Sequence, residues 1–297
     1  MNEPIRVDVI IPCYKQFDQI SSLISSLADQ KDIFINKIVC PLTLSRSEND
    51  QRIKDFFEAN KVAYFELEPK DFSHSLTREK AIKEYCESNI VVLLSQDIKF
   101  ADEHSIFNLV KPVQDGECAY AYGRQICPKK SLEKYIREKN YPLTSKVTSK
   151  DDIGKLQIMA FFASDAFSAL DRNIFIKIGG YQNFDIMMNE DMLYSYFVLQ
   201  NGYKKKYCSD AAIIHYHNLK LKQLYARYYD TGIFYQKVTL FNNYKSTESG
   251  AKLAMYTLGQ CLKHFDLKST FRWLPDMAAR YLGMKKGKRA KLVKEGK

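Results

Sequence analysis

The sequence predicts an α/β protein with a mainly parallel central sheet flanked by helices and a helical C-terminal extension. Three observations carry that prediction. Through the first hundred residues, short apolar runs rich in β-branched side chains alternate with segments of helical spacing, the pattern of a parallel sheet with crossover helices. The run 90–94 (IVVLL) is apolar at every position, as a strand buried on both faces must be. Past residue 217 the strand-like runs cease, and near residue 240 the composition shifts toward basic, amphipathic segments. A catalytic-sized body over 1–240 and an extension over 241–297 are therefore expected.

The elements follow in order. Residues 7–12 (VDVIIP) make the first strand, closed by Pro12. Residues 17–28 carry Ile20, Leu23, Ile24 and Leu27 at helical spacing. A strand at 35–40, a helix at 50–60, a strand at 62–67 and a helix at 76–86 lead to the central strand at 90–95. A short strand at 118–123 runs into Arg124 and Gln125, and a basic helix is expected at 131–139. Residues 141–153 are polar and aperiodic and read as a loop. Residues 159–163 lead to Ser164 and Asp165, then to a strand at 166–170. Gly179, Gly180 and Tyr181 form a turn, and Asn189, Glu190 and Asp191 open a helix over 192–200. Residues 205–209 and 212–215 suit a hairpin or two short strands. Helices are expected at 220–237 and 251–264, and 285–297 is almost solidly basic.

Bulk properties narrow the classes. A length of 297 residues gives ample core. The net charge of +10 points to an anionic partner: a sugar nucleotide, a nucleic acid or an anionic membrane surface. There is no helix-turn-helix, RNP-like or zinc signature, which sets nucleic acid aside. Seven scattered cysteines without a CxxC pair read as small core residues of a reducing compartment. The N-terminal MNEPIRVDVIIP lacks the layout of a signal peptide, and no window approaches the roughly 18 apolar residues of a membrane span. The expectation is a cytoplasmic protein, soluble or held peripherally on the membrane.

Several residues stand where chemistry is done. Asp97 ends the central strand, where open α/β sheets bind ligands; taken alone it equally suits a turn cap. Neither a G-x-G-x-x-G fingerprint nor a P-loop follows the first strand, so any nucleotide is held in another way. Tyr14 at the first strand's tip suits stacking on a base or plain packing. Thr77 and Arg78, near the start of the helix at 76–86, suit a diphosphate facing the helix dipole; an N-cap with a solvated arginine is the alternative. Glu190 and Asp191 complement a helix dipole, and adjacent carboxylates ahead of a helix also suit a base.

Taken together, the stretches VDVIIPCYK, DFSHSLTREKA, VVLLSQDIKF, AYGRQ, REKNYP, FFASDAFSALDR, IGGY, NEDM, NGYKKKY, IIHYH and RYYDTGIF resemble the GT-A glycosyltransferases of family 2. The likeness is to the bacterial rhamnosyltransferase branch, which builds O-antigens, capsules and rhamnose cell-wall polysaccharides. The pieces occur in the family's order over about residues 5–240. The resemblance implies the GT-A, or nucleotide-diphospho-sugar transferase, fold. It also implies an inverting transfer to a saccharide or lipid-linked saccharide, with dTDP-β-L-rhamnose the leading donor and a UDP-hexose or UDP-N-acetylhexosamine the alternative.

The resemblance also assigns roles. Asp191 matches the catalytic base, with Glu190 positioning the acceptor or Asp191. Tyr14 and Lys15 match contacts to the donor base, and Thr77, Arg78, Gln96 and Arg124 line the donor side. Ser164 and Asp165 match the acceptor side. Mn²⁺ or Mg²⁺ is implied, held by Asp97 with His217 or His215 completing the shell; two histidines spaced i, i+2 on a strand point the same way. Imidazole ligation tilts the choice toward Mn²⁺.

Three departures are visible. The family's D-x-D reads Ser95–Gln96–Asp97, as is common in this branch. The second strand ends in Cys40–Pro41–Leu42–Thr43 instead of an acidic residue followed by Gly–Ser–Thr, so nucleotide recognition there is altered. Glu79 follows Arg78 where many relatives have Asn.

The basic end, beside a segment with Phe265, Phe271 and Trp273, suits contact with an anionic inner membrane. A homodimer through the tail helices stays open. The rival class is a non-catalytic basic protein that binds membrane or nucleic acid; it lacks a reason to keep both Asp97 and Asp191.

Overall fold

A computed structural model describes residues 3–217, 219–245 and 247–290. The strands are β1 (Ile5–Ile10), β2 (Cys13–Tyr14), β3 (Ile33–Thr43), β4 (Ala63–Leu67) and β5 (Ile90–Leu94), then β6 (Lys99–Phe100), β7 (Tyr120–Ile126), β8 (Lys146–Thr148), β9 (Phe167–Asp171) and β10 (Lys205–Ile214). The helices are α1 (Phe17–Ser26), α2 (Glu48–Ala59), α3 (His74–Lys80), α4 (Ser105–Gln114), α5 (Leu132–Asn140) and α6 (Ile153–Leu156). After them come α7 (Arg172–Lys177), α8 (Glu190–Gln200), α9 (Leu221–Lys237), α10 (Thr247–Lys263) and α11 (Leu267–Gly287).

One sheet joins all the described strands in the order β2-β3-β1-β5-β9-β7-β10-β6, with β4 beside β3 and β8 beside β10. The half built from β1 to β5 is parallel. The other half is mixed, because β9 inserts antiparallel between β5 and β7 while β7 and β10 run parallel. The central strand feeds two cores by simple alternation: Ile90, Val92 and Leu94 pack with α1, α2 and α4, and Val91 and Leu93 pack with the α3 and α8 side. Asp8 is fully buried in β1 beside a register shift. Its carboxylate accepts from Asn36 Nδ2 (2.7 Å), Ser88 N (2.7 Å) and Ser88 Oγ (2.9 Å), and so fastens β1 to the start of β5.

Local differences from the expectation have local causes. The helix expected at 76–86 begins earlier, at His74, because Ser73 caps it by accepting from Leu76 N (3.1 Å). It then widens into a π-helical turn, Ala81–Tyr85. Residues 141–153 are not simply loop: Tyr141 is buried, and β8 pairs antiparallel with β10. The expected hairpin at 205–215 is one strand with a bulge between Cys208 and Ala212. Gly123 lies opposite that bulge, where a Cβ would collide with Phe167 and the Ala211 carbonyl. β7 continues to Ile126, which places Arg124 and Gln125 inside the strand.

All seven cysteines are free and buried. The expected boundary at residue 240 falls between α9 and α11, which lie backbone to backbone. A Cβ on Gly232, Gly283 or Gly287 would run into the main chain at Met284, Tyr225 or Tyr229 respectively. Trp273 turns inward, donating Nε1–H to the Ala254 carbonyl (3.0 Å). Among the described residues no helix is long and apolar enough to cross a membrane. The basic run from 291 onward lies outside the described residues.

Candidate active site

The site lies where β1 and β5 end, and it has two halves. In the first, Gln96 clamps the strand tips together: its Oε1 accepts from Tyr14 N (2.7 Å) and its Nε2 donates to the Tyr14 carbonyl (3.1 Å). Expected as a donor contact, Gln96 has its amide committed to the Tyr14 main chain. Tyr14 itself is 41% exposed, and the Lys15 ammonium stands 4.7 Å from its ring centre, with Lys15 in left-handed backbone at φ 62°. Both side chains are therefore open at the strand tips.

Next along the chain, the Asp97 oxygens meet two histidines that follow β10. Oδ1 is 3.4 Å from His215 Nε2 and Oδ2 is 3.4 Å from His217 Nδ1. One ligand atom from each of the three lies within 4.8 Å of the others. The tautomer of His215 follows from its neighbours. Arg137 can only donate, and it donates to Gln125 Oε1. His215 Nδ1 contacts the same oxygen at 2.9 Å, so that nitrogen carries the proton. His215 Nε2 is left as a bare lone pair, buried and without a hydrogen-bond partner, aimed at a carboxylate. A divalent cation, or a proton on Nε2, pairs these two facing groups. An imidazole whose far nitrogen is fixed by an amide oxygen is the ordinary arrangement of a metal ligand. Burial, and then the neighbouring His215, pull His217 down to about 4, leaving it neutral and able to ligate. One carboxylate and two imidazoles fit a divalent cation.

The second half is built on the start of α8. Asn189 takes left-handed backbone at φ 69°, a conformation asparagine tolerates, and the two carboxylates that follow meet different surroundings. Glu190 is buried and paired with Arg78 Nη1. Asp191 is only half-buried, and Met192 N donates to its Oδ1 (2.7 Å). Burial, then the negative charges of Glu190 and Asp165, raise the Asp191 carboxyl well above its ordinary range.

Several expected positions are corrected here. Thr77 and Arg78 do not stand at a helix start facing a ligand, because α3 begins at His74 and both fall in its second turn. Thr77 is buried and accepts from Ser73 N (3.3 Å); Arg78 is 2% exposed. Asp165 does not line an acceptor surface: it is buried, accepting from Tyr120 OH (2.6 Å), Ser168 Oγ (2.6 Å) and Tyr181 OH (3.1 Å). Glu190 is buried and faces Arg78. Glu79 has a structural task, accepting from Tyr181 N (2.9 Å) to brace the Gly179–Gly180–Tyr181 turn. Arg124 is half-buried in β7, and the adjacent Gln125 makes the contacts that organise the site. Cys40, Leu42 and Thr43 of β3 are all buried.

Two residues enter that the sequence reading left out, His74 and Lys205, and Gln125, matched there only as part of a cleft-lining segment, gains a definite task. His74 Nδ1 is 3.1 Å from Arg78 Nη1. Since arginine only donates, Nδ1 is an acceptor and Nε2 carries the proton. Burial and then the Arg78 charge lower His74 to about 3, so it stays neutral. Its i, i+4 spacing to Arg78 on one helix was the signal available. Gln125 binds Arg137, His215 and, through Nε2, Ser164 Oγ (2.7 Å). Lys205 is buried, depressed by that burial, and donates to the Phe162 carbonyl ahead of Ser164. The dipeptide Ser164–Asp165 joins the halves: Ser164 reaches the histidines through Gln125, and Asp165 lies in the field of Glu190 and Asp191.

Sheet order and strand-tip site together are those of a glycosyltransferase of the GT-A class. In backbone the chain resembles the mannosyltransferase PcManGT from Pyrobaculum calidifontis, solved in complex with GDP-Man and Mn²⁺. The TM-score is 0.62 at 14% identity, over 99% of this chain and 88% of that one, a likeness of fold. Sequence narrows the class further. The O-antigen chain rhamnosyltransferase RfbN of Salmonella typhimurium is 30% identical over 233 residues, 78% of this chain and 73% of that protein. The O-antigen chain rhamnosyltransferase WbaN of Salmonella anatum is 34% identical over 171 residues, 57% of this chain and 54% of that one. No protein-family model matches the sequence. The chain belongs to the O-antigen chain rhamnosyltransferase family, within the rhamnosyltransferase-like branch of family 2.

Proposed function

We propose that this glycosyltransferase is inverting and metal-dependent. In this reading it transfers L-rhamnose from dTDP-β-L-rhamnose to a saccharide or lipid-linked saccharide during assembly of a bacterial surface polysaccharide. The names of the two Salmonella relatives support the sugar and the polymer. The observation that carries the mechanism is the unequal state of three neighbouring carboxylates. Glu190 is held by Arg78 and Asp165 by three hydroxyls, while Asp191 keeps an open side and a raised affinity for a proton.

Asp191 takes the proton of the acceptor hydroxyl as that oxygen attacks the anomeric carbon from the face opposite the leaving nucleotide. Its raised proton affinity makes it a stronger base than a free carboxylate. Glu190 and Arg78 hold the start of α8, and with it Asp191, in place. Tyr14 and Lys15 offer a ring and an ammonium to the donor base, at a height fixed by Gln96. A divalent cation held by Asp97, His215 and His217 would supply positive charge to the departing diphosphate. Ligation by two imidazoles favours Mn²⁺ over Mg²⁺, and PcManGT was solved with Mn²⁺. His74 adds a neutral Nε2–H donor on the Arg78 side.

The buried, acid-free tip of β3 favours a second reading, the same reaction with a UDP-hexose or UDP-N-acetylhexosamine. We further propose that the body over 1–240 carries the chemistry and that 241–297 serves as an accessory. The enzyme would work in the cytoplasm against the membrane that bears the acceptor. The test is a donor screen on the purified chain, with Mn²⁺ or Mg²⁺ and each of dTDP-rhamnose, UDP-galactose, UDP-glucose and UDP-N-acetylglucosamine. Metal-dependent binding and hydrolysis selective for dTDP-rhamnose is the expected result. Selectivity for a UDP-sugar would discard rhamnose, and loss of metal dependence would discard the cation.

A further inference from the structure

Helix α11 is amphipathic in the opposite sense to an ordinary surface helix. Its buried positions are Ser269, Asp276, Gly283 and Gly287, small or polar residues that press against its neighbours. Its outward face carries Leu267, Phe271, Leu274, Tyr281 and Leu282, all exposed. With the exposed Ala278 between Leu274 and Tyr281 they follow the helical repeat and form one stripe, about 22 Å long at the helical rise. Phe265, in the turn before α11, extends it and is 86% exposed; Phe271 is 80% exposed. A soluble surface rarely leaves so much contiguous apolar area uncovered without a use for it.

The charge around the stripe is of one sign. Between residues 261 and 290 the chain has two acidic residues, Asp266 and Asp276. Both are buried: Asp266 caps α11 by accepting from Ser269 N (3.1 Å), and Asp276 accepts from Arg280 Nε (2.6 Å). The exposed charges are Lys263 and Lys268 at one end of the stripe, and Lys285, Lys286, Lys288 and Arg289 at the other. A second copy laid face to face would set cationic ends beside cationic ends, with no exposed carboxylate among residues 261–290 to pair them. An anionic lipid surface meets both demands, taking apolar side chains below its headgroups and lysines among its phosphates.

We infer that the outward face of α11, with Phe265, docks the enzyme on an anionic bilayer, with α11 lying flat in the interface. The inference deepens the proposed function, resting on it only for the idea that the acceptor is membrane-borne. It keeps Phe265 and Phe271 of the sequence expectation and leaves out Trp273, which is turned inward.

The full chain, without substrate, would be sedimented with phosphatidylcholine vesicles with and without phosphatidylglycerol, at several salt concentrations. Binding that requires phosphatidylglycerol and weakens with salt is expected. The pair Phe271→Glu with Leu274→Glu should weaken it by about tenfold or more, and Lys285→Glu with Lys286→Glu should reduce its salt-sensitive part. Donor hydrolysis in solution and melting temperature should stay unchanged in both. Wild-type chain that ignores anionic vesicles, or binds phosphatidylcholine equally, overturns the inference, as does an F271E/L274E variant that still binds. Light scattering that finds a wild-type dimer dissociated by that variant, without vesicle binding, gives the face to a second copy instead. Vesicle binding that survives when no donor is hydrolysed would strike the catalytic reading and leave this one standing.

Discussion

The two halves of the site differ in what they leave unfinished. Around Asp97 a buried imidazole nitrogen has no partner and faces a carboxylate. Around α8 the buried charges are matched: Arg78 with Glu190, Asp165 with Tyr120, Ser168 and Tyr181. Beside α8, Arg78 Nε, Tyr194 OH and Ser195 Oγ are also buried without a partner, but the carboxylates there are each held, apart from the open side of Asp191. Burial alone thus does not mark a functional group. A buried group without a partner carries a cost that a bound ligand can remove, and that becomes a functional signal where, as at Asp97, three ligand-type side chains converge on it.

The comparison breaks most sharply at Asp191. Asp191→Asn keeps the shape and removes the base, so turnover should fall by about 10²–10⁴-fold while donor binding stays intact. Single-turnover kinetics alongside donor titration read the two separately. Turnover close to wild type would move the base elsewhere. Next in size is Arg78, read here as a partner of Glu190 and not as a donor contact. Arg78→Met strands a buried carboxylate, at about 3–5 kcal/mol, and chemical denaturation measures it. Adding Glu190→Gln should return part of that loss. A variant of normal stability with a raised KM would restore Arg78 to the donor side.

What was legible in the sequence follows the same division. β5 could be read directly because five apolar residues in a row have few alternatives. The alternation that places β1 and β5 between two cores needs no partner to be known. The pairing of Arg78 with Glu190 spans 112 residues and that of Tyr120 with Asp165 spans 45. Nothing local distinguishes such a buried arginine or aspartate from a ligand-facing one. The bulge in β10 is set by the neighbouring strand at Gly123, so its own sequence looked like two strands. The outward stripe of α11 was half visible: the aromatics stood out, but which way Trp273 turned depended on α10.

The first half is sharpened by changing a residue that touches no ligand. Gln125→Leu removes the oxygen that fixes the His215 tautomer, while His215, His217 and Asp97 stay present. Mn²⁺ affinity, read by calorimetry, should drop about 10–100-fold. An unchanged affinity would mean that the Asp97 cluster does not bind the cation through His215 Nε2.

The smallest effect tests whether catalysis and stability pull against each other at α8. The folded chain raises the Asp191 carboxyl above its unfolded value, through burial and then the charges of Glu190 and Asp165. A group raised in this sense favours the fold while it is protonated, and that advantage is lost as pH rises through the folded-state value. At neutral pH the ionised Asp191 should therefore work against folding, by an amount reduced because the group is half open to solvent. Asp191→Asn removes the charge and should melt slightly higher than wild type at neutral pH. The gap should close once pH falls below the ordinary carboxylate range, where the wild-type group is protonated in both states. The same linkage sets the activity profile: kcat should fall as pH drops, with its midpoint above that of a free carboxylate. A variant that melts no higher at neutral pH, beside a wild-type acid limb in the ordinary carboxylate range, would show that Asp191 feels neither its neighbours nor its burial. Then α8 would hold no strained base, and the contrast between the two halves would rest on the cation cluster alone.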